Sequence, residues 1–574
     1  MGKAKKYETL KTRFAKSFNK ENPLPEYPRP QLRRDSYISL NGEWDFGVGG
    51  YYGKITVPYA PESLLSGIEK TFCDSDILHY RKFFKIPDGF KKDRIILHFG
   101  AVDQVAYVKL NGRELGIHKG GYHPFSFDVT DFLVDGENEL EITVSDKLDG
   151  IFPYGKQKRK RGGMWYTPVT GIWQTVWLES LPKGAIQGLK ITSNMTSVKI
   201  ECHTSSLPVK LTMKESGKVY ESNDGNFEIA PESAKTWSPE SPYLYYFTLE
   251  NENDKIDSYF ALREIGIKKF NGTPRLTLNG KPYLFNGLLD QGYFPDGIYT
   301  PASYEAFRDD ILTAKSLGFN MLRKHIKIEP LIFYHLCDTL GMAVFQDMVN
   351  NSDYSFLRDT ALPTVGMKKI SDKKLHKNEL SREIFRSAMK ETQELLYNSP
   401  SVLYYTVFNE GWGQFSADEN YALAKKFDPT RIYDATSGWF VQSESDVDSH
   451  HIYFKKAKIS DFSKRPVVLS EFGGYSYRQN GHLFGSANYG YSLYKTKDEF
   501  EKAFLKLYRD EILPLAKKGV SALVYTQISD VEDETNGLMT YDRECIKPDA
   551  EKTRALMREL YKISNSEKNS TVTE

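Results

Sequence analysis

At 574 residues the chain is too long for one ordinary domain, and about three or four are expected. Its 77 Lys+Arg against 76 Asp+Glu leave a net charge of +1, which excludes electrostatic capture of a polyanion, so no nucleic-acid partner is expected. Aromatic residues make up 14% of the chain, enough both to fill β-sandwich cores and to stack on the apolar faces of sugars.

Residues 1–35 open with Met1-Gly2-Lys3-Ala4-Lys5-Lys6 and show no apolar signal core, which predicts a solvated N-terminal arm. No apolar run approaches the roughly 18 residues that a membrane span needs, so no membrane partner is expected. The cysteines Cys73, Cys202, Cys337 and Cys545 are widely separated and form no CxxC pair. They read as buried free thiols rather than as a disulfide frame or a zinc site. A cytoplasmic protein is the expectation, and a homo-oligomer is allowed.

From residue 36 to 182 the pattern is all-β, with short alternating runs closed by turn residues. Strands are expected at 94–99, 105–110, 125–129 and 139–144, the second ending in the Asn111-Gly112 hairpin signal. Such spacing predicts a β-sandwich. A smaller all-β stretch, 183–267, predicts an immunoglobulin-like sandwich of about six or seven strands, including 198–202 and 259–265. From 268 to 574 strands and helices alternate. Strands are expected at 283–286, 319–323, 342–346, 402–408, 432–435, 467–470 and 523–526. Helices are expected at 304–317 (capped by Ser303), 331–340, 380–396, 500–516 and 550–561. This alternation predicts a (β/α)8 barrel, because no glycine-rich phosphate loop follows the first strand to favour a doubly wound sheet.

Chemistry in such a barrel sits at the C-terminal strand ends. Those ends are polar here: Asp290-Gln291, Arg323-Lys324-His325, Gln346-Asp347, Asn409-Glu410, His450-His451-Ile452-Tyr453 and Ser470-Glu471. Two glutamates, Glu410 and Glu471, close two apolar strands. A pair of carboxyls facing each other is what acetal cleavage needs: one protonates the leaving oxygen, and the other attacks the anomeric carbon or activates water.

Several stretches together carry a resemblance to a known family: Leu40-Asn41-Gly42-Glu43-Trp44, Val57-Pro58-Tyr59-Ala60-Pro61-Glu62-Ser63, Trp165-Tyr166-Thr167-Pro168-Val169-Thr170-Gly171, Lys281-Pro282-Tyr283-Leu284-Phe285-Asn286-Gly287, Asn409-Glu410 and Ser470-Glu471-Phe472-Gly473. The chain resembles glycoside hydrolase family 2 over nearly its whole length. The resemblance implies a multidomain β plus α/β protein: an N-terminal jelly-roll β-sandwich, an immunoglobulin-like sandwich and a catalytic TIM barrel. It implies a retaining double displacement with Glu410 as acid/base and Glu471 as nucleophile, their carboxyls about 5–5.5 Å apart. Glu410 must hold a proton and is expected to have a raised pKa; Glu471 must stay ionised, with Arg323 and Tyr453 as its donors.

Asn409 is the candidate for the sugar 2-hydroxyl. Arg323 has an alternative role as a structural partner of Asp347. His325 and His450 are read as sugar-binding or supporting residues, His450 being interchangeable with His451 on sequence alone, and Asp290 is a further candidate. Tyr525 stands where the family usually offers a tryptophan platform, a role that Trp439 or the aromatic loop 475–494 would then take. No metal ligand cluster and no cofactor are expected. The substrate is read as a small oligosaccharide or glycoside, with a terminal β-galactoside favoured. An arabinoside, galactofuranoside or mannoside fits the same residues. A glucuronide is disfavoured because no Asn-x-Lys follows Glu471, although Arg478 offers another anchor for an acid. A transglycosidase and a non-catalytic carbohydrate-binding relative are the alternatives in kind.

Overall fold

The computed structural model describes residues 10–566 apart from 365 and 367–369. The first unit is a jelly-roll sandwich. One sheet has four strands in the order Tyr37–Ser39, Val176–Leu181, Arg94–Phe99, Phe125–Asp128. The other has six: Gly53–Val57, Gly42–Val48, Ile77–Lys85, Glu137–Ser145, Val105–Leu110 and Arg113–Lys119. Strand alternation explains the packing: in Glu137–Ser145 every second residue, Asn138, Leu140, Ile142 and Val144, is buried. The last three join Trp44, Phe46, Tyr80, Leu97 and Phe99 in one core. The Asn111-Gly112 turn forms as expected, with φ of +52° and +73° joining strands that pair from Leu110 to Arg113.

The second sandwich packs three strands (Gly188–Ser193, Val198–His203, Asn226–Ile229) against four (Val219–Ser222, Val209–Met213, Tyr245–Glu250, Lys255–Phe260). The strand expected at 259–265 does not run through. It ends at Phe260, and the next begins at Ile265. Between them the chain crosses to the barrel: Trp237 N donates to Leu262 O, and the buried Arg263 donates through Nε to Pro400 O at 3.1 Å. A continuous ladder would break both contacts.

The third unit is an eight-stranded parallel barrel. Its strands are β1 (Phe285–Asp290), β2 (Met321–Lys324), β3 (Ala343–Asp347), β4 (Val402–Asn409), β5 (Ile432–Ser437), β6 (Asp448–Ile452), β7 (Val467–Gly473) and β8 (Ala522–Thr526). Ladders run β5-β4-β3-β2-β1-β8-β7-β6. β5 and β6 meet at the seam without a ladder, bridged by Ser437 and Ser449, whose hydroxyls lie 3.3 Å apart. Phe285, Phe345, Tyr404 and Val524 fill the lower barrel, Phe345 stacking on Tyr404 at 4.2 Å. The hairpin Ile265–Phe270/Thr273–Leu278 packs into the same cluster as a floor.

Helices α1 (Glu305–Ser316), α2 (Leu331–Leu340), α3 (Glu379–Leu396), α4 (Ala417–Phe427), α5 (Lys497–Leu507) and α6 (Ala550–Ser566) accompany the strands. Ser303 Oγ accepts from Glu305 N at 3.2 Å, the expected start of α1. α4 is not among the expected helices. Its buried face is Ala417, Asn420 and Ala424, which gives little apolar contrast to read in a sequence. Among the described residues no helix follows β5 or β6.

Two further expectations change. The basic start of the chain lies outside the described residues, but from residue 10 the arm is not solvated. Thr12 donates to Asp296 through N at 2.8 Å, Leu24 is buried, and Arg34 bonds Asp254 at 2.8 Å and Glu179 at 3.4 Å. The four cysteines are free thiols, but only Cys202 and Cys337 are buried, while Cys73 is exposed. No helix among the described residues is long and apolar enough to cross a membrane.

Candidate active site

β4 is buried along its whole length and delivers Asn409 and Glu410 at its mouth. There the backbone leaves the sheet. Glu410 N donates to Ser437 O at 2.9 Å, Glu410 takes φ +50°, and Gly411 takes +75°. A glutamate in the left-handed region costs on the order of 1 kcal/mol, so its surroundings must hold it there. A Cβ on residue 411 would meet the Phe440 ring at 2.3 Å, which makes glycine a requirement of this turn.

Glu471 is placed by a bulge. On β7, Leu469 pairs with Leu523 and Phe472 with Tyr525, so Ser470 and Glu471 together face one residue of β8. The extra residue turns both side chains inward. Ser470 Oγ lies 2.7 Å from Ser449 Oγ and accepts from Ser437 Oγ at 3.0 Å. Glu471 Oε1 accepts from Arg323 Nη1 at 3.2 Å, and Glu471 Oε2 accepts from the Tyr453 hydroxyl.

Arg323 organises the mouth. It is wholly buried and donates to Asp347 Oδ1 (2.9 Å), Ser470 O (3.0 Å), Glu471 Oε1 (3.2 Å) and Asn409 Oδ1 (2.9 Å). The salt bridge to Asp347 and the contacts to Glu471 and Asn409 are therefore one arrangement of a planar fork. Asn409 Oδ1 is held by Arg323, while its Nδ2 is buried with no hydrogen-bond partner among the described residues. His325 Nδ1 lies 2.6 Å from Asp347 Oδ2. Burial, with Lys156 adding to it, pushes His325 down to about 3, so the imidazole is neutral at ordinary pH.

His451, and not the neighbouring His450 named as the candidate from sequence, lies beside the glutamate pair, which resolves a register that the sequence left open. The β6–β7 register shifts between these two residues. His450 pairs with Asp448 at 3.1 Å on the outer side. His451 is buried, with Nδ1 at 2.8 Å from Glu410 Oε1 and 3.7 Å from Glu471 Oε2, and Nε2 at 2.9 Å from Ser437 Oγ. One atom each of Glu410, His451 and Glu471 lie within 4.8 Å of one another. This carboxylate–imidazole set has the chemistry to hold a divalent transition metal. The same atoms are those a proton transfer and a nucleophilic attack would use. Burial pushes the Glu471 carboxyl up from its ordinary value. His451 pulls it down, Glu410 pushes it up again, and Arg323 and Lys156 pull it down, leaving it raised.

Two other candidates are relocated. Asp290 does not join the glutamate pair: Lys324 Nζ lies 2.7 Å from its Oδ2, and Gly292 N donates to its Oδ1 at 2.9 Å. Lys324 and Lys327 share Glu329 with it, both at 2.8 Å, so the first strand end is an internal ion cluster. Tyr525 faces the helices, packed against Phe504, Tyr508 and Phe472 at 5.2, 6.5 and 5.7 Å. The next residue, Thr526, faces the site, its hydroxyl 3.0 Å from that of Tyr453. Trp439 does border the site, its ring 5.7 Å from His451, and Tyr491 of the aromatic loop stacks on Tyr453 at 3.7 Å.

The first sandwich supplies a wall that the sequence did not announce. Tyr154 N donates to Asn350 O at 3.0 Å and its hydroxyl to Ser352 O at 2.8 Å. Trp165 stacks on Trp412 at 5.4 Å, and Lys156 Nζ sits 5.4 Å from the Trp412 ring. Trp412 follows Glu410 by two residues, so this wall borders the glutamate pair.

Family models account for most of the chain. The model for the sugar binding domain of glycosyl hydrolases family 2 matches residues 36–182, and that for the family's TIM barrel domain matches residues 272–561. The chain belongs to glycosyl hydrolases family 2. It is 29% identical over 295 residues to a β-galactosidase of Thermoanaerobacter pseudethanolicus, covering 47% of this chain and 39% of the relative. It is 23% identical over 491 residues to a β-galactosidase of Halalkalibacterium halodurans, covering 78% of this chain and 44% of the relative. It thus spans less than half the length of either relative. Its fold is also that of a β-D-glucuronidase from Dictyoglomus thermophilum, with a TM-score of 0.74 at 18% identity over 93% of this chain and 98% of that one.

Proposed function

We propose that this family member is a retaining exo-β-glycosidase, with Glu471 as nucleophile and Glu410 as acid/base. The observation that carries this reading is the pair itself: one oxygen of each carboxyl lies within 4.8 Å of the other, which fits the short separation that retention needs. In the first step a Glu471 oxygen bonds to the anomeric carbon as the glycosidic C–O bond breaks, and the Glu410 proton passes to the leaving oxygen. In the second, Glu410 takes a proton from water as the water oxygen replaces Glu471 on that carbon.

The neighbouring groups fit these roles. Arg323 and Tyr453 hold the two Glu471 oxygens, which orients the carboxylate for attack. His451 lies against Glu410, and the unpartnered Asn409 Nδ2 is a donor for the sugar 2-hydroxyl, a contact that strengthens in the transition state. The relatives named above are β-galactosidases and a β-glucuronidase, so terminal β-hexosides and hexuronides are the sugars to test.

Aryl β-glycosides with azide test the roles. Glu471→Ala should lose turnover and, with azide, return a glycosyl azide of inverted configuration. Glu410→Ala should spare substrates with good leaving groups and return the retained azide. Exchanged outcomes would reverse the two assignments.

A further inference from the structure

Two short segments, one after β7 and one after β8, bring a thiol, an imidazole and a carboxylate into line. The turn 540–545 closes on itself: Thr540 N donates to Cys545 O at 2.9 Å, and Cys545 N donates back to Thr540 Oγ1 at 3.1 Å. Arg543 takes φ +61° inside it, and the Thr540 hydroxyl also donates to Asp542 Oδ1 at 2.6 Å. Asp542 is thereby fixed and buried, while Cys545 stays partly exposed. The aromatic loop 475–494 supplies the imidazole. His482 N donates to Gln479 O at 3.1 Å, and Phe484 packs on Tyr541 at 5.7 Å, which docks this stretch on the turn.

His482 Nδ1 lies 2.7 Å from Asp542 Oδ2, and Cys545 Sγ lies 3.3 Å from His482 Nε2. An ionised carboxylate only accepts, so Nδ1 carries the ring hydrogen, and Nε2 of the neutral ring is left bare toward the sulfur. The Cys545 thiol therefore donates to Nε2. The order is nucleophile, base and orienting carboxylate, in which the base takes the proton as the nucleophile attacks. Burial, with Asp542 and Glu544 beside it, pushes the Cys545 thiol up, against a pull from Lys497. A standing thiolate is disfavoured, so the proton has to leave during attack, and a bare Nε2 at 3.3 Å can take it. The other cysteines differ: Cys73 is exposed but has the Ser75 hydroxyl 3.2 Å from its sulfur, and Cys202 and Cys337 are buried.

We propose that Cys545 is an activated thiol and a modification site: it takes up half of a small organic disulfide, with His482 as base and Asp542 orienting the imidazole. In that step the thiol proton passes to His482 Nε2, the Cys545 sulfur bonds to one sulfur of the disulfide, and the S–S bond breaks. The other sulfur leaves with the electron pair of that bond and takes the proton from His482. An added thiol reverses the exchange, so the modification is reversible. The exchange uses none of the groups assigned to sugar cleavage and does not depend on the glycosidase reading.

The test treats the folded wild-type chain with dithiodipyridine, follows release of the thiopyridone, and assigns the label to each cysteine by peptide mass mapping. Cys545 should react on the order of tenfold or more faster than Cys73, although Cys73 is the more exposed, because a positioned base contributes about a hundredfold or more. His482→Gln should remove most of that advantage and Asp542→Asn much of it, while Cys73 keeps its rate in both. Labelling of the buried Cys202 and Cys337 would reveal a variant that failed to fold, and the wild-type ratio then decides alone. A Cys73 that reacts as fast as Cys545 or faster overturns the proposal. So does a folded His482→Gln chain whose Cys545 rate is unchanged, because the three groups would then only clip the loop to the turn.

Discussion

Two of the buried arginine–carboxylate clusters, one at the junction of the sandwiches and one at the barrel mouth, are completed differently. At the junction of the sandwiches, Glu179 takes bonds from Tyr27, Arg29, Arg34 and His98, while Arg34 also binds Asp254 and Ile186 O. Burial pushes Glu179 up, but Arg29, His98 and Arg34 outweigh it and hold the carboxyl at about 2. At the barrel mouth, Glu471 has Arg323 and Tyr453, yet burial and the adjacent Glu410 leave it raised. Asn409 Nδ2 beside it has no hydrogen-bond partner among the described residues. A cluster that only holds domains together can give every oxygen a donor. A cluster that must pass a proton and bind a carbon gives its carboxylate fewer donors and keeps one donor, Asn409 Nδ2, unused, and that spare donor marks where substrate goes.

Removing one carboxylate from each cluster is the strongest way to break this comparison. Glu471→Gln should lower kcat/KM on the order of 10⁴-fold or more while the chain still folds, since one of two apposed buried carboxylates is gone. Glu179→Gln should do the reverse: stability should fall by about 3–5 kcal/mol, with turnover per folded molecule retained. Urea melts and active-site titration separate the two effects. A Glu471→Gln chain that melts like Glu179→Gln, or a folded Glu179→Gln chain without activity, would erase the distinction. The junction should also weaken in acid. The folded Glu179 pKa lies below the ordinary 4.5, so its contribution is present above that pH and is lost as pH falls toward about 2.

The pH profile sharpens the other side. Glu471 must be ionised to attack and its pKa is raised, so the acid limb of kcat/KM should lie above the ordinary glutamate range. Glu410 is one cause of that rise. Glu410→Gln, assayed on aryl glycosides with good leaving groups, should therefore move the limb to lower pH. A limb that stays put would mean that burial alone sets it.

Much of this mouth was legible because strand ends in a parallel barrel converge on one face. Polar residues closing apolar runs pointed to Asn409, Glu410, Glu471, Arg323 and Tyr453, and these five do come together. What was not legible follows from register. A bulge at Ser470-Glu471 and the shift beside it exchange His450 for His451, and no local pattern announces a bulge in a parallel pair. Asp290 looks like its neighbours at the strand ends, but Lys324 claims it. The wall from the first sandwich left a signal that was available, the basic run 156–161 next to Trp165. A net charge of +1 averaged over the chain concealed it.

The smallest expected effect tests the relocation of Tyr525. Its ring faces Phe504, Tyr508 and Phe472 on the helix side, and its buried hydroxyl makes no hydrogen bond of ordinary geometry among the described residues. Tyr525→Phe should therefore leave kcat/KM within about twofold and stability within about 0.5 kcal/mol. Tyr525→Trp supplies the ring that the family usually carries at this position, and it is the more telling variant. A Cβ on Gly473 would already lie 2.3 Å from the Tyr525 ring, so little room remains for a larger indole. Overpacking should cost about 1–3 kcal/mol with no gain in substrate affinity. If tryptophan instead lowered KM without loss of stability, the side chain at 525 would have to reach the sugar, and Trp439 and Tyr491 would lose their claim to be its platform.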